Sequence, residues 1–426
     1  MSCYVAVIIR LTSLPPRESP NMRRIFMVVA LVVTATASLS AQRLGPAAKR
    51  PRLQEASDTN DARAYYALGL QRFDRDPQEA AAAFYWAARI NPAWAEALYA
   101  RRAALLMSDR RMLRLVMEGN RRNMESDEMR RLDSLQFRAL MLNPFIYRKL
   151  DRPLFMAYIR NAATGGNRGD QTPELEFAIN SYLREAGDEM RGWLAYSDGN
   201  FPSALTYYER AKVNARDKTS VQLDIARIFG MQGRVDDAVT EFGRALDEMR
   251  KKDQKDLVVF YNSKALVEYS IAVLREGSAN TEAAREAYGR ALQEDLAYYP
   301  AHMRLGLLSL GTQDTTTAMS ELALASQLAP DEPHIRYVNG YVLAACGHFA
   351  EGLVELQKAI ELEPFYALPH LRLGQVYEQL GKGKEALGAY EQFLARASLS
   401  DPQRGTATEH LTELKEIIAA SSTAKP

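Results

Sequence analysis

Histidine and cysteine side chains supply many catalytic and metal-binding groups, and their spacing in this chain favours no such site. No two of the five histidines lie four residues apart on a helix, and no HExxH motif is present. A zinc hydrolase is therefore not indicated. The two cysteines, Cys3 and Cys346, are too few for a cysteine-built zinc site. The histidines are His302, His334, His348, His370 and His410.

Motifs for nucleophilic catalysis and for nucleotide binding are also missing. The sequence has no Gly-x-Ser-x-Gly elbow and no GxxxxGK[ST] phosphate loop, and no strand pattern precedes the glycines of residues 165–169. We predict a protein that is not an enzyme and that has no catalytic residues, no metal and no cofactor. The alternative is a site within residues 124–184, which contain Asp127, Glu128, Asp133, Tyr147 and Tyr158.

Length and composition indicate a folded protein of several units. The 426 residues exceed one compact core, so two to four domains or one repeat array are expected. Hydrophobic residues make up 47% and charged residues 25%, as in ordinary folded proteins. A net charge of +1 gives no reason to expect nucleic acid as a partner.

Residues 1–41 have the three parts of a secretory signal peptide. Arg23 and Arg24 precede the apolar run 25–33, and small residues follow up to Ala41. We predict cleavage after Ala41, a polar linker over residues 42–61, and a periplasmic or secreted protein. Met22 directly precedes the two arginines, so it is an alternative start that would leave residues 1–21 untranslated.

An uncleaved anchor is the alternative to a cleaved signal. The apolar stretch from Ile25 to Ala41 lies at the lower limit of length for a helix that crosses a bilayer. This alternative predicts a protein attached to the inner membrane. Contact with a membrane is expected only through such an anchor.

The remainder of the chain repeats at a fixed interval, the one that separates Gly306 from Gly340 and Gly340 from Gly374. Small residues, apolar residues and prolines recur in one phase over residues 299–400. This interval of about 34 residues, with small residues at two places and a proline at the end, resembles the tetratricopeptide repeat, a hairpin of two helices. The aligned sets are Gly306, Gly340 and Gly374; Ala318, Gly352 and Ala386; Leu322, Leu356 and Tyr390; Pro330 and Pro364.

Each recurring residue has a physical role in such a hairpin. A marker glycine in the first helix, such as Gly340, allows the second helix to approach closely. Gly347 and Gly381 are predicted to end first helices in the left-handed conformation, and proline stops the second helix. Residues 263–295 carry the same pattern, with about two extra residues expected in the turn after Gly277.

The resemblance implies an all-α fold, a right-handed superhelical α-solenoid of helical hairpins. We predict N-terminal hairpins over residues 62–125 and an irregular helical segment over 126–184. The repeat array would cover 185–400, and a capping helix over 401–420 would cover its exposed end.

The resemblance also implies a binding surface. In this family the concave face is lined by first-helix residues three before, one after and four after the marker residue. The lysines and asparagines with which some members hold a chaperone carboxylate are missing. The residues predicted to line the groove are Trp193, Tyr196, Arg227, Met303, Leu307, Tyr337, Tyr341, Leu371 and Gln375.

These expectations define a function without catalysis. We predict an exported scaffold that binds a protein or peptide segment in its groove. One alternative is a structural homo-oligomer. Another is that the tyrosines and tryptophan of the groove only pack between neighbouring repeats.

Overall fold

The computed structural model describes residues 48–53, 57–117, 127–163, 177, 181, 187–215, 218–252 and 263–423. All of these residues belong to one compact unit, residues 48–426. Within them the chain forms nineteen α-helices and no β-strand. The predicted signal peptide, its cleavage site and the alternative start lie outside the described residues.

The helices are short and are separated by short turns. They are α1 (Ala62–Arg72), α2 (Pro77–Ile90), α3 (Ala95–Ser108), α4 (Arg110–Met117), α5 (Asp127–Leu142), α6 (Asp151–Ala163), α7 (Asp188–Ser197), α8 (Phe201–Asn214), α9 (Lys218–Met231), α10 (Val235–Lys252), α11 (Lys264–Gly277), α12 (Thr281–Glu294), α13 (Tyr299–Gly311), α14 (Thr315–Leu328), α15 (Pro333–Ala345), α16 (Phe349–Leu362), α17 (Ala367–Gln379), α18 (Gly383–Arg396) and α19 (Arg404–Thr423).

From α7 onward the helices form six successive hairpins. Each odd-numbered helix from α7 to α17 packs most closely against the helix that follows it, and each second helix also contacts the next hairpin. A stack in which each unit touches mainly its neighbours is an α-solenoid, so the predicted all-α repeat architecture is confirmed. The helices α1, α2 and α3 pack in the same sequential way.

The marker glycines hold the two helices of a hairpin close together. A methyl group on Gly340 would lie 2.8 Å from Leu356 Cγ and 3.0 Å from the carbonyl oxygen of Gly352. At Gly374 it would lie 2.7 Å from Tyr390 Cε1. The predicted reason for glycine at these positions is therefore confirmed.

The turns inside the hairpins share one backbone conformation. Gly347 and Gly381 have φ values of 83° and 66°, which confirms their predicted left-handed conformation. Gln313 at 63° and Ala279 at 58° occupy the same place. Because Ala279 and Gln313 are separated by one repeat period, the turn after Gly277 has no extra residues, and that prediction was wrong. The sequence pattern failed there because the left-handed residue is not glycine.

The helix α19 packs on the last hairpin of the array. It packs against α18, where Ala407 and Leu414 join a buried cluster with Tyr390 and Phe393. The ring of His410 stacks on Tyr390 with centroids 5.6 Å apart. This packing shields apolar side chains of the last repeat from water.

Two histidines of the array should make folding sensitive to acid. Burial, with a further contribution from a nearby arginine, lowers the pKa of His334 and of His370 to about 4. In the unfolded chain these two histidines bind a proton near pH 6.5, whereas in the folded protein they do so only near pH 4. Stability is therefore complete above pH 6.5 and falls as the pH drops, by about 1–2 kcal/mol for each histidine at pH 5.

Thermal unfolding of wild type and His370→Leu at pH 6.5 and pH 5 tests this expectation. Leucine cannot titrate, and the Nε2 atom of His370 has no hydrogen-bond partner to lose among the described residues. The loss of stability between the two pH values should be smaller in the variant by about 1–2 kcal/mol. Equal losses in the two proteins would contradict the assignment.

Candidate functional site

The first part of the groove is filled by the chain itself. Residues 143–150, here called the strap, connect α5 to α6 without helical structure of their own. The ring of Phe145 lies where a methyl group on Gly230 would be, 2.5 Å from Phe145 Cε1. Ala226 is the marker residue of its repeat, and Gly230 occupies a groove position because it lies four residues after it. The Phe145 ring also contacts Phe242, with centroids 6.2 Å apart.

Two predicted groove residues on α7 bind this part of the chain. The hydroxyl of Tyr196 donates to the carbonyl oxygen of Ile146 at 3.2 Å. The rings of Tyr196 and Tyr147 meet edge to face at 5.8 Å, and Tyr147 donates to the carbonyl oxygen of Ser197 at 2.8 Å. Trp193 packs edge to face on Phe155 of α6 at 5.3 Å. These aromatic groups therefore serve as contacts within the molecule.

A network of charges surrounds Arg148, which follows Tyr147 in the strap. Its guanidinium lies 3.7 Å from Asp151 and 3.7 Å from Asp224 on α9. Burial alone would lower the pKa of Arg148, but these two carboxylates and the tyrosines around it raise that pKa above its usual value. The predicted groove residue Arg227 donates to Asp224 at 2.9 Å. Arg148 thus brings its charge to an acid that belongs to the array.

The helix α5 continues this contact along the array. The hydroxyl of Tyr269 on α11 donates to the carbonyl oxygen of Met141 at 3.1 Å. Ala272 lies one repeat period before Gly306 and is therefore the marker residue of its repeat. Tyr269 lies three residues before Ala272, so it occupies a groove position. Farther along, Arg138 donates to Glu332 at 2.7 Å. The described part of the segment 126–184 therefore lies against groove positions of successive repeats.

The last repeats form a cleft that none of the residues described by the structure fills. Tyr341 and Gln375, both predicted groove residues, lie on two of its walls, and its volume is about 330 Å³. A size of this order suits a few side chains of a bound segment. The lining residues are Tyr341, Ala344, Ala345, Phe349, Arg372, Gln375, Val376, Glu378, Gln379 and His410.

The cleft carries one cation that no carboxylate of the described residues neutralises. The guanidinium of Arg372 lies over the ring of Tyr341, 4.6 Å from its centroid. It donates to Gln375 at 2.8 Å, and its buried Nε has no hydrogen-bond partner among the described residues. By contrast, the acid of the cleft is engaged, because Glu378 accepts from Tyr390 at 2.5 Å and lies 3.1 Å from His410 Nδ1.

The other predicted groove residues lie in or beside the core. Met303 is 5% exposed and Leu371 is 1% exposed, so both pack inside the stack. Leu307 is partly buried beside the same cluster as Met303. Tyr337 packs edge to face on Tyr366 at 5.3 Å. Arg372 was missed by sequence reasoning because it lies two residues before the marker glycine, outside the three positions used.

Metal binding and membrane insertion find no support among the residues that the structure covers. In those ranges no three His, Cys, Asp or Glu side chains are grouped so that they could hold a metal ion. No described helix combines the length and the apolar character needed to span a bilayer.

Comparison with protein families supports the repeat assignment. The model of the tetratricopeptide repeat matches residues 189–254 and 337–402. These two segments are therefore similar to tetratricopeptide repeats. The first contains α9 with Gly230, and the second contains Tyr341, Arg372 and Gln375. Both the filled part of the groove and the open cleft therefore have walls within segments that match the family.

Solved structures that are similar to part of this chain include YrrB and MamA. YrrB, described as a TPR protein with an unusual peptide-binding site, is 16% identical over 47% of this chain and 96% of its own, with a TM-score of 0.38. MamA AMB-1 is 20% identical over 41% of this chain and 90% of its own, with a TM-score of 0.33. A comparison with curated protein sequences finds no match.

Proposed function

We propose that the protein is an exported scaffold, without catalysis, that binds a protein or peptide segment in the cleft of its last repeats. The segment would lie across α15 and α17, with apolar side chains over Ala344 and Phe349 and an acidic group at Arg372. Export rests on the residue pattern 1–41 and gives a periplasmic or secreted protein.

The observation that carries this proposal is the state of Arg372. A half-buried cation normally has an acidic partner or full access to water, because leaving it unpaired costs free energy. The guanidinium of Arg372 instead lies over the ring of Tyr341, and no carboxylate of the described residues is within ion-pair distance. A carboxylate on a bound segment would complete its hydrogen bonds in a fixed geometry.

Peptide selection with the full chain tests the proposal. Peptides selected from a random library on the wild-type protein should combine an acidic residue with apolar neighbours. Arg372→Ala should weaken their binding about tenfold or more, because it removes a charge-assisted hydrogen bond and the stacked cation. Tyr341→Ala should weaken it by a similar factor, and fluorescence anisotropy measures both effects.

A matched pair of residues on α8 provides the control. Arg210 lies over Tyr207 at 5.4 Å, in the same kind of contact but on a second helix outside the groove. Alanine at either residue should leave peptide affinity unchanged. If the selected peptides bind equally well to wild type and to both cleft variants, the cleft is not the binding site.

A further inference from the structure

The strap presents its side chains to the array as a bound peptide would. It has no helix of its own, and its side chains contact the first helices of two hairpins, α7 and α9. Phe145 fits against Gly230 and Tyr147 packs on Tyr196, whereas Ile146 between them is buried in the cluster of the N-terminal helices. Its direct hydrogen bonds to the array use the hydroxyl of Tyr196 and a single carbonyl oxygen of α7.

We infer that residues 144–148 are a built-in ligand of the groove, and that the partner of this part of the array is an extended segment of the same chemistry. That chemistry is an aromatic ring, a second aromatic ring two residues later, and a cation directly after it, as in Phe145, Tyr147 and Arg148. The inference deepens the proposed function, since it assumes that the groove binds protein segments. It assigns the surface of α7 and α9 to a partner that competes with the strap.

The groove positions explain this order of side chains. Gly230 is the residue that leaves room for a ring, because any larger side chain there would occupy the place of Phe145. Tyr196 can meet a backbone carbonyl and an aromatic ring at once. Asp224 lies 3.7 Å from Arg148 and would attract a cation at the same place in another segment. An external segment with these groups in sequence would find the same complementary partners.

Covalent attachment decides how strongly the strap competes. A ligand held by a short linker acts at an effective concentration in the millimolar range. A free segment with the same contacts must overcome that advantage, so its apparent affinity for the wild-type protein should be low. Weakening the contacts of the strap should therefore increase the affinity for the free segment without any new contact.

A labelled peptide with the sequence of residues 141–150 tests the inference on the full chain. Its dissociation constant should be at least tenfold lower for Phe145→Ala/Tyr147→Ala than for wild type, since alanine empties the two aromatic positions. Adding Gly230→Ala to that variant should abolish the gain, because the new methyl group occupies the site of the incoming ring. A scrambled peptide should bind none of these proteins.

A second measurement covers the case in which the double variant does not fold. In wild-type protein, excess peptide should accelerate amide hydrogen exchange in residues 145–150 by displacing the strap, and Phe145→Leu should increase this effect. Unchanged exchange, or equal binding of native and scrambled peptides, would show that the strap is a fixed part of the core. The inference would also be overturned if adding Gly230→Ala to the double variant left its affinity for the peptide unchanged.

The two proposals can fail separately. If library peptides still depend on Tyr341 and Arg372 while the strap peptide does not bind, only the built-in ligand is refuted. If no peptide of either kind binds, the proposed function falls together with the inference.

Discussion

Replacing Gly340 by alanine should lower the free energy of unfolding by about 2–3 kcal/mol, although alanine favours helices. The added methyl group would lie 2.8 Å from Leu356 Cγ and 3.0 Å from both the carbonyl oxygen of Gly352 and the amide nitrogen of Leu356. Two of these three atoms are backbone atoms, which cannot move without shifting α16. The hairpin must therefore open or its helices must separate.

The same substitution at Gly289 should have the opposite sign. Gly289 lies inside α12, and a methyl group there would meet no atom within 4 Å. Alanine should stabilise that helix by about 0.5–1 kcal/mol. Urea unfolding of both variants, followed by circular dichroism, measures the contrast. If both variants changed the free energy of unfolding slightly and with the same sign, glycine at position 340 would not be required by the close approach of the two helices.

The repeat period in the sequence predicts the helical hairpins, their close helix contacts and their turns. A repeated glycine, a repeated small residue and a repeated proline each report a local constraint within one hairpin. Such constraints involve residues near each other in sequence, and a pattern along the chain can show them. The close contacts at Gly340 and Gly374 and the turns at Gly347 and Gly381 are the result.

The occupation of the groove could not be predicted in that way. Tyr269 and Met141 meet across 128 residues, and Arg138 and Glu332 across 194. Neither member of these pairs repeats, so no period marks them. The segment 126–184 lacks the repeat pattern, so the sequence predicts only irregular helices there. Its described part instead contributes side chains that fill the groove of several repeats.

Nor could the sequence distinguish open groove positions from covered ones. Tyr196 lies four residues after its marker glycine and Tyr341 one residue after its own, so the pattern predicts both as groove residues. Tyr196 is 5% exposed because the strap covers it, whereas Tyr341 borders the cleft. The difference depends on where a distant segment of the chain lies, which is a property of the tertiary structure alone.

The first hairpins are joined to the last repeats by a buried ion pair. Arg89 of α2 binds both carboxylate oxygens of Glu363, at 3.1 and 2.9 Å, across 274 residues of sequence. The two side chains are only 18% and 10% exposed. Phe365 lies beside them, with its ring 4.6 Å from the Arg89 guanidinium and 4.8 Å from Trp86. This small contact links helices that are far apart in the chain.

Arg89→Met should therefore destabilise the protein by about 2–4 kcal/mol at pH 7.5, because it leaves a buried carboxylate unpaired. Burial already raises the pKa of Glu363, even though Arg89 opposes that shift. Without Arg89 this pKa should rise further. The folded variant then binds a proton at a pH where the unfolded chain does not, so part of the loss should be recovered at pH 5.5.

The double variant Arg89→Met/Glu363→Met separates the cost of an unpaired charge from the value of the contact. Replacing a buried pair by apolar side chains is often neutral, so the double variant should unfold close to wild type. Thermal unfolding of wild type and both variants at pH 7.5 and 5.5, compared as differences from wild type, removes the contribution of the histidines. If the double variant is as unstable as Arg89→Met at both pH values, the ion pair itself, and not the uncompensated carboxylate, stabilises the junction between the first and last repeats.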